Sequence, residues 1–451
     1  MPREPSGRAG RVDGIFGAPL SSRPPGRIPA AHTLKITDLR LDSVASGARA
    51  SARVEWEEAD RPPMTLWFEV DGEAGGEARP AAEAFLLACA VPAFGRGERR
   101  VAIEGTICPR LRDGLASAIA LLGAWYGDPA SAAIEPSRGF APPAKAPSPR
   151  AAVLLSGGVD SLDVLLRNRC RLPPADPDSF RDVVHVSGIG YVGPPGSPAV
   201  ESVAARSRSA AEAIARETGS RFVEIRTNLV EIEPSYMFFQ RRWYGSAFLS
   251  GVHLLAGTVT SASFASGHHL ASGLMPSGSH PELDAFFSTG AVEIRHEGAD
   301  RSRLEKVRGI AAHPALRHLF VCHSWPAPDA PNCGRCEKCL RTLAEILACG
   351  ALDRAESFPR GTLSAERIWR SELHDDSAVF WAPLVAPLRE AGRDDLARAA
   401  ARFAAAAARR RAWVLGDGWR GALRRLDLRL FGGRGMELGR RGVRRVSRRV
   451  S

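Results

Sequence analysis

The chain has 451 residues, of which 44% are hydrophobic and 25% charged, which excludes a disordered or fibrous protein and leaves room for two or three domains with cores of their own. Basic residues outnumber acidic ones by 61 to 50, but nearly all are arginine, since lysine occurs only at positions 35, 145, 306 and 338. A chain rich in Ala, Gly, Pro and Arg is typical of a GC-rich coding bias, so the net charge is a poor indicator of a polyanionic partner.

The sequence indicates neither a membrane span nor export. It contains no run of 18 apolar residues, and its N-terminus lacks the apolar segment of a secretory signal. We therefore expect a cytoplasmic protein. Disulfides are uncommon in that compartment, so the eight cysteines favour a metal site.

The N-terminal part divides into three segments. Residues 1–32 are rich in Pro, Gly, Ser and Arg without hydrophobic periodicity, which predicts disorder. Residues 33–126 alternate apolar and polar positions and predict a small β-rich α+β domain, with helices near 80–90 and 109–125. Residues 127–150 form a Pro-rich stretch that predicts a linker and a domain boundary.

The next stretch predicts a strand, a tight loop and a helix. A short apolar run at 151–155 is interrupted by Ser-Gly-Gly, and apolar residues then return at the spacing of one helix face. Glycines let the backbone approach a ligand, and the helix N-terminus directs unpaired N–H groups at the loop, which favours phosphate. Asp160 stands where a carboxylate can hold Mg²⁺. The predicted nucleotide-binding residues are Ser156, Gly157, Gly158, Val159, Asp160 and Ser161.

The loop differs from two common phosphate loops, because no lysine follows the glycines and the spacing is not G-x-G-x-x-G. The segment Ser-Gly-Gly-Val-Asp-Ser resembles the PP-loop of the ATP pyrophosphatase superfamily, which has an adenine nucleotide alpha hydrolase-like fold. The resemblance implies that ATP is cleaved between its α- and β-phosphates and that an oxygen of the substrate is adenylated. A glycine turn without a ligand is the alternative.

Downstream of the loop, apolar strands alternate with helices. Strands are predicted to begin near 183, 222, 261, 291 and 318, and helices span about 199–218 and 243–257. This alternation predicts an α/β fold with a doubly wound parallel sheet, in which ligands bind at the carboxyl ends of the strands. The predicted domain spans residues 151–350.

A cysteine cluster follows. Cys333, Cys336 and Cys339 have C-x2-C-x2-C spacing, and Cys322 lies eleven residues upstream. Four thiolates can close a tetrahedral zinc site that leaves no position for water, so we predict structural Zn²⁺. An iron–sulfur cluster is the main alternative, and Cys349 or His323 could replace Cys322.

The loop and the cysteines together resemble the 7-cyano-7-deazaguanine synthase (QueC-like) branch over residues 151–345. That resemblance implies structural zinc and an ATP- and ammonia-dependent conversion of a carboxylate to an amide and a nitrile. The segment 267–284 does not match the base-recognition motif of that branch, and the preceding β-rich domain is additional. The substrate is therefore left open as a small carboxylate or nucleobase-like molecule.

Asp160 is also a candidate for catalysis, together with two further residues. Lys306, at the start of a predicted helix, is the best cation for bringing a carboxylate and a phosphate together, although a solvated helix face explains it equally well. His268 lies in a Gly- and Ser-rich loop after a strand, near His269 and His280, where proton transfer or substrate contact is expected.

Residues 351–451 predict a helical extension with an Arg-rich tail from about residue 420, for which solvation, nucleic acid, membrane and protein contact are all open. The expected function is an ATP-dependent, AMP- and pyrophosphate-forming C–N ligase that uses Mg²⁺ and takes ammonia or an amine. A tRNA-modifying enzyme and a non-catalytic, zinc-stapled ATP-binding protein are the alternatives, and a homodimer is one arrangement left open.

Overall fold

The computed structural model describes residues 33–57, 61–127, 133–143, 149–191, 196–322, 330–372 and 377–415, with positions 146, 423 and 426. The predicted disordered segment 1–32 and nearly all of the predicted basic tail lie outside these residues. None of the described helices combines the length and apolar character needed to cross a bilayer.

The strands are β1 Thr33–Val44, β2 Gly47–Trp56, β3 Met64–Asp71, β4 Arg100–Ile103, β5 Ala133–Pro136, β6 Arg150–Leu154, β7 Phe180–Ser187, β8 Arg221–Thr227, β9 Val259–Ala265 and β10 Glu293–Glu297. The helices are α1 Ala82–Gly95, α2 Pro109–Tyr126, α3 Val159–Arg171, α4 Pro198–Glu217, α5 Tyr236–Phe238, α6 Tyr244–Ser250, α7 Arg303–Ile310, α8 Glu337–Ala348, α9 Ala365–Arg370, α10 Ser377–Trp381, α11 Val385–Glu390 and α12 Asp394–Leu415.

The fold is α/β, built on one ten-stranded sheet in the order β10-β9-β6-β7-β8-β3-β2-β1-β4-β5. Most neighbours are parallel, and antiparallel pairing is confined to β1 with β2, β2 with β3, and β3 with β8. Parallel strands need helical crossovers, and the alternation of strands and helices downstream of residue 150 supplies them. This confirms the α/β class predicted from the sequence.

The sheet runs across the predicted domain boundary. Residues 68–70 of β3 pair with residues 225–227 of β8, which joins the N-terminal strands to the central ones. Strand β5 falls inside the predicted linker 127–150 and pairs in parallel with β4. Two ion-pair networks cross the same boundary: Glu69 contacts Arg226, and Glu77 contacts Arg150 and Arg221.

Helices cover both faces of the central strands. In β6, Ala151 and Val153 contribute to a core with α3, α4, α7 and α8, whereas Ala152 and Leu154 contribute to a second core with α1, α2 and α6. A strand buried on both faces is expected to read as a continuous apolar run, as this one does. Strand β2 of the N-terminal part instead alternates buried residues with partly or fully exposed ones.

The strand order fixes where a ligand can bind. The chain passes from β6 outward to β7 and β8, and it later returns to the other side of β6 as β9. The carboxyl ends of β6 and β9 therefore form a topological switch point, where the following loops diverge and leave a crevice.

One predicted strand, at 318–323, is absent: residues 319–322 have no regular structure, and His323 lies outside the described residues. Their backbone groups find other partners. Phe320 N donates to Gly157 O (2.9 Å), Val321 N donates to the Asn332 side chain (2.9 Å), and that side chain donates to Leu319 O (2.8 Å). The apolar run is buried by contact with the loop after β6, which a sequence pattern does not distinguish from strand pairing.

Candidate functional site

A cavity of about 390 Å³ lies at the switch point. Its wall combines the loop after β6, the ends of β7 and β9, the loop 274–281, and side chains from α7, α8 and α10. This volume is within the usual range for small-molecule sites. Of the predicted nucleotide-binding residues, the wall includes Ser156, Gly158, Val159, Asp160 and Ser161.

The loop after β6 has the geometry predicted from its sequence. Gly157 has φ of +82°, and a Cβ there would lie 3.1 Å from the Ala210 side chain, so this position requires glycine. Gly158 is the N-cap of α3 and offers no side chain to its first amides. Those N–H groups and the positive end of the helix dipole therefore meet the cavity, which suits an anion.

Asp160 is held by two cations from α7. Arg303 Nη1 lies 2.5 Å from its Oδ2, and Lys306 Nζ lies 3.0 Å from its Oδ1. Burial opposes ionisation of this carboxyl, but the charges of Arg303, Lys306 and Arg341 outweigh it and lower the pKa of Asp160 to about 2. Both carboxylate oxygens thus already accept charge-assisted hydrogen bonds.

Lys306 does not lie on a solvated helix face. Its side chain is 1% exposed, and Nζ also donates to the Ser266 carbonyl at 2.5 Å. It is absent from the cavity wall and lies behind Asp160. The structure therefore gives Lys306 a positioning contact to Asp160, whereas the sequence had suggested direct contact with substrate.

Three cations do line the cavity, namely Arg303, Lys338 and Arg341. Arg303 Nε lies 3.4 Å from the fully buried Glu345, whose pKa is raised by burial. Lys338 is exposed to the cavity, and the surrounding protein, together with Arg341 and Arg303, lowers its pKa. Crowded cations favour an anionic guest because it relieves their mutual repulsion.

The four predicted metal ligands are brought together. The Sγ atoms of Cys322, Cys333, Cys336 and Cys339 all lie within 4.8 Å of one another, and those of Cys333 and Cys339 are 3.8 Å apart. A tetrahedral site with Zn–S bonds of about 2.3 Å has sulfur–sulfur edges of about 3.8 Å. The donor set fits a metal such as zinc.

The backbone around the cysteines prepares this cluster. Arg335 N and Cys336 N donate toward Cys333 Sγ at 3.5 and 3.3 Å, an arrangement that favours the thiolate. Gly334 adopts φ of +65° and could not carry a Cβ without meeting Thr362 at 2.8 Å. The turn between Cys333 and Cys336 therefore brings these two thiols to the same side of the loop.

The cysteine cluster and the cavity share helix α8. This helix begins directly after Cys336, contains Cys339 in its first turn, and presents Lys338 and Arg341 to the cavity. At the same end, the buried Glu337 accepts a hydrogen bond from Trp381 Nε1 at 2.8 Å. A metal at the thiols would thus hold the helix that carries two of the three lining cations.

The predicted histidines have different placements. His268 lines the cavity, with its ring 5.9 Å from that of Phe380. His280 also lines it; burial lowers its pKa, and its Nδ1 accepts a hydrogen bond from Glu282 N at 3.1 Å. His269 is not part of the wall.

Several wall residues were not predicted. The aromatic side chains Tyr244, Phe248 and Phe264 pack edge to face or tilted at centroid distances of 5.0–6.0 Å, and a π-helical turn Phe239–Trp243 precedes them. Phe380 comes from the C-terminal extension and lies 4.0 Å from the Arg341 guanidinium. An aromatic-rich segment at 236–248 was visible in the sequence, but no local signal connects Phe380 or His296 to this cavity.

Comparisons with protein-family models, with curated proteins and with solved structures found no match.

Proposed function

We propose that this chain is an ATP-dependent, QueC-like C–N ligase that adenylates a carboxylate or carbonyl oxygen and lets ammonia or an amine displace AMP. The observation that carries the proposal is the convergence on one cavity of a glycine loop, a helix N-terminus and the cations Arg303, Lys338 and Arg341. The resemblance of the loop to the PP-loop of ATP pyrophosphatases adds the choice of ATP.

The proposed roles follow from what each group offers. The first amides of α3 and the hydroxyls of Ser156 and Ser161 would bind the β- and γ-phosphates, the part of ATP that leaves. The lining cations would neutralise the charge that develops as the substrate oxygen and the α-phosphate approach each other. Gly157 already has φ of +82°, the left-handed backbone conformation that a tight loop before a helix N-terminus favours.

Mg²⁺ would bind beside Asp160 and reduce the charge of the leaving diphosphate. Each oxygen of that carboxylate accepts one cation contact and retains a second lone pair for the metal. Zn²⁺ would fill the four-thiolate site, where no open coordination position is left for water, so its proposed role is to hold α8.

Nucleotide binding is the first test. Calorimetric titration with α,β-methylene-ATP and Mg²⁺ should give binding that weakens about tenfold or more in Gly157→Ala, because the added Cβ meets Ala210 and the residue must keep φ near +82°. Gly76→Ala is the matched control, since no atom lies within 4 Å of its added Cβ. Equal affinity in the two variants would contradict the proposed phosphate loop.

Turnover is the second test. The protein is incubated with ATP, Mg²⁺, ammonium chloride and the small-molecule fraction of a cell extract, and AMP and new amides are measured by mass spectrometry. AMP that depends on the extract supports the ligase. Binding without AMP formation would indicate a non-catalytic ATP-binding protein, and AMP formed only with added tRNA would indicate a tRNA-modifying enzyme.

A further inference from the structure

A histidine–carboxylate pair lies at the edge of the cavity: His296 of β10 lines the wall, and Asp284, which is not part of the wall, contacts its ring. The Nδ1 atom of His296 lies 2.8 Å from Asp284 Oδ2. The His296 side chain is 6% exposed, and that of Asp284 is fully buried. His296 lines the cavity, and its Nε2 is buried without a hydrogen-bond partner in the described part of the chain.

Asp284 is fixed by its surroundings. Ser279 Oγ donates to its Oδ2 at 2.7 Å, and His280 N approaches its Oδ1 at 3.3 Å. Gly245 of α6 allows this close approach, because a Cβ there would lie 2.6 Å from Asp284 Oδ1. The carboxylate therefore holds one position and presents one oxygen to the imidazole.

The hydrogen bonds define the state of the ring. A carboxylate only accepts, so Nδ1 of His296 carries the proton and Nε2 has a free lone pair. His280 has the opposite arrangement, since its Nδ1 accepts from Glu282 N and the proton of the neutral ring is on Nε2. Of these two wall histidines, His296 is the one that can take a proton at Nε2.

We propose that His296 Nε2 is the general base for the nitrogen nucleophile and that Asp284 is its positioning residue, an inference that rests on the ligase function proposed above. Ammonia attacks the acyl carbon of the adenylated substrate and forms the C–N bond. The C–O bond to AMP breaks, and AMP leaves with the electron pair. The proton lost by the nitrogen moves to Nε2, and Asp284 stabilises the resulting imidazolium.

The pair is suited to this step because the ring is already oriented, and its Nε2 is already desolvated, before the substrate binds. A polar nitrogen buried without a partner is unfavourable, so a guest that hydrogen-bonds to Nε2 gains the interaction that the protein lacks. An N–H donor is the guest that this lone pair accepts.

The experiment separates two nucleophiles. Extract-dependent AMP formation is measured with ammonium chloride and with hydroxylamine, which is uncharged at neutral pH and traps acyl adenylates without a strong need for a base. His296→Gln should lose about 10²-fold or more of the ammonia-dependent rate and change the hydroxylamine-dependent rate by no more than about threefold. Asp284→Asn should give the same split with a smaller loss. His318→Gln, whose ring contacts Glu217 outside the cavity wall, should change neither rate.

Each outcome decides one point. An unchanged affinity of His296→Gln for α,β-methylene-ATP shows that the variant is folded. If wild type reacts with both nucleophiles and the variant loses both equally or neither, the base is not His296, and the ligase proposal stands. If wild type forms AMP with neither nucleophile, the ligase proposal fails, and the role of the pair fails with it.

Discussion

Replacing Lys306 by Met tests the buried ion pair between Lys306 and Asp160, which lies behind the candidate phosphate loop. The side chain of Lys306 is 1% exposed, and its ammonium contacts Asp160 at 3.0 Å and the Ser266 carbonyl at 2.5 Å. Methionine keeps the length and apolar stem of lysine and removes the charge. Lys35→Met is the matched control, because Lys35 pairs with Glu57 at 2.6 Å but is 46% exposed.

The magnitude follows from what the substitution leaves behind. Hydrogen bonds to charged groups contribute about 1.5–3 kcal/mol each, and breaking a buried ion pair costs about 3–5 kcal/mol. Arg303 still contacts the other oxygen of Asp160, so the lower end applies. We expect Lys306→Met to lower the free energy of unfolding by about 3 kcal/mol, and Lys35→Met to change it far less, since exposed pairs contribute little.

The effect of Lys306→Met on the free energy of unfolding should depend on pH, because Lys306 acts on the ionisation of Asp160. The pKa of Asp160 falls from an ordinary 3.8 to about 2 on folding, so its ionised form adds about 2 kcal/mol of stability. This contribution is complete above the unfolded value and is lost as pH falls through the folded one. Without Lys306 the pKa of Asp160 in the folded protein is higher, and its ionisation contributes less to the free energy of unfolding. The gap between wild type and Lys306→Met should therefore narrow as pH is lowered from 7 toward 3.

Urea unfolding followed by tryptophan fluorescence at several pH values measures both effects. Equal losses in the Lys306 and Lys35 variants would refute a buried ammonium. A gap that stays constant from pH 7 to pH 3 would show that Lys306 does not act through the ionisation of Asp160.

Two further predictions concern helix α8. Metal analysis by inductively coupled plasma mass spectrometry should find one zinc per wild-type chain and none in Cys336→Ser. The affinity of Cys336→Ser for α,β-methylene-ATP should also be reduced, because α8 carries Lys338 and Arg341. Cys170→Ser, at an exposed thiol, should retain both the zinc and the affinity, and iron with visible absorbance would overturn the zinc assignment. Trp381→Phe should lower the free energy of unfolding by about 1–3 kcal/mol, because the buried Glu337 loses its indole donor. Trp369→Phe, at a side chain that is 49% exposed, should have little effect in the same urea titration.

Local patterns predicted the local geometry. The strand, glycine loop and helix at 151–166 and the cysteine cluster at 333–339 were readable because their partners are close in sequence. Lys306 illustrates the limit. Its spacing placed it on a helix, but only the contact with Asp160, far upstream in the chain, shows that it faces inward.

The long-range features had no sequence signal. Pairing of β3 with β8 depends on two edges meeting across a Pro-rich stretch that by composition predicts a linker. The sequence places His296 at the end of a predicted strand, and its tautomer is defined by Asp284, which the fold brings to its Nδ1. Phe380 lines the cavity from α10, and the next residue, Trp381, donates to Glu337 of α8, a long-range contact that no local pattern indicates.

The ion pairs around Asp160 also indicate how opposite charges are balanced beside the cavity. The cations Arg303, Lys306, Lys338 and Arg341 face the carboxylates of Asp160, Glu337 and Glu345. Without those carboxylates, like charges would repel one another at low dielectric, and with more of them the site would repel phosphate. Arg303 is shared between Asp160 and Glu345, whereas Lys306 lies behind Asp160 and helps to keep that carboxylate ionised. Lys306 contacts Asp160 without being part of the cavity wall, so its removal should alter the titration of Asp160 more than the shape of the cavity.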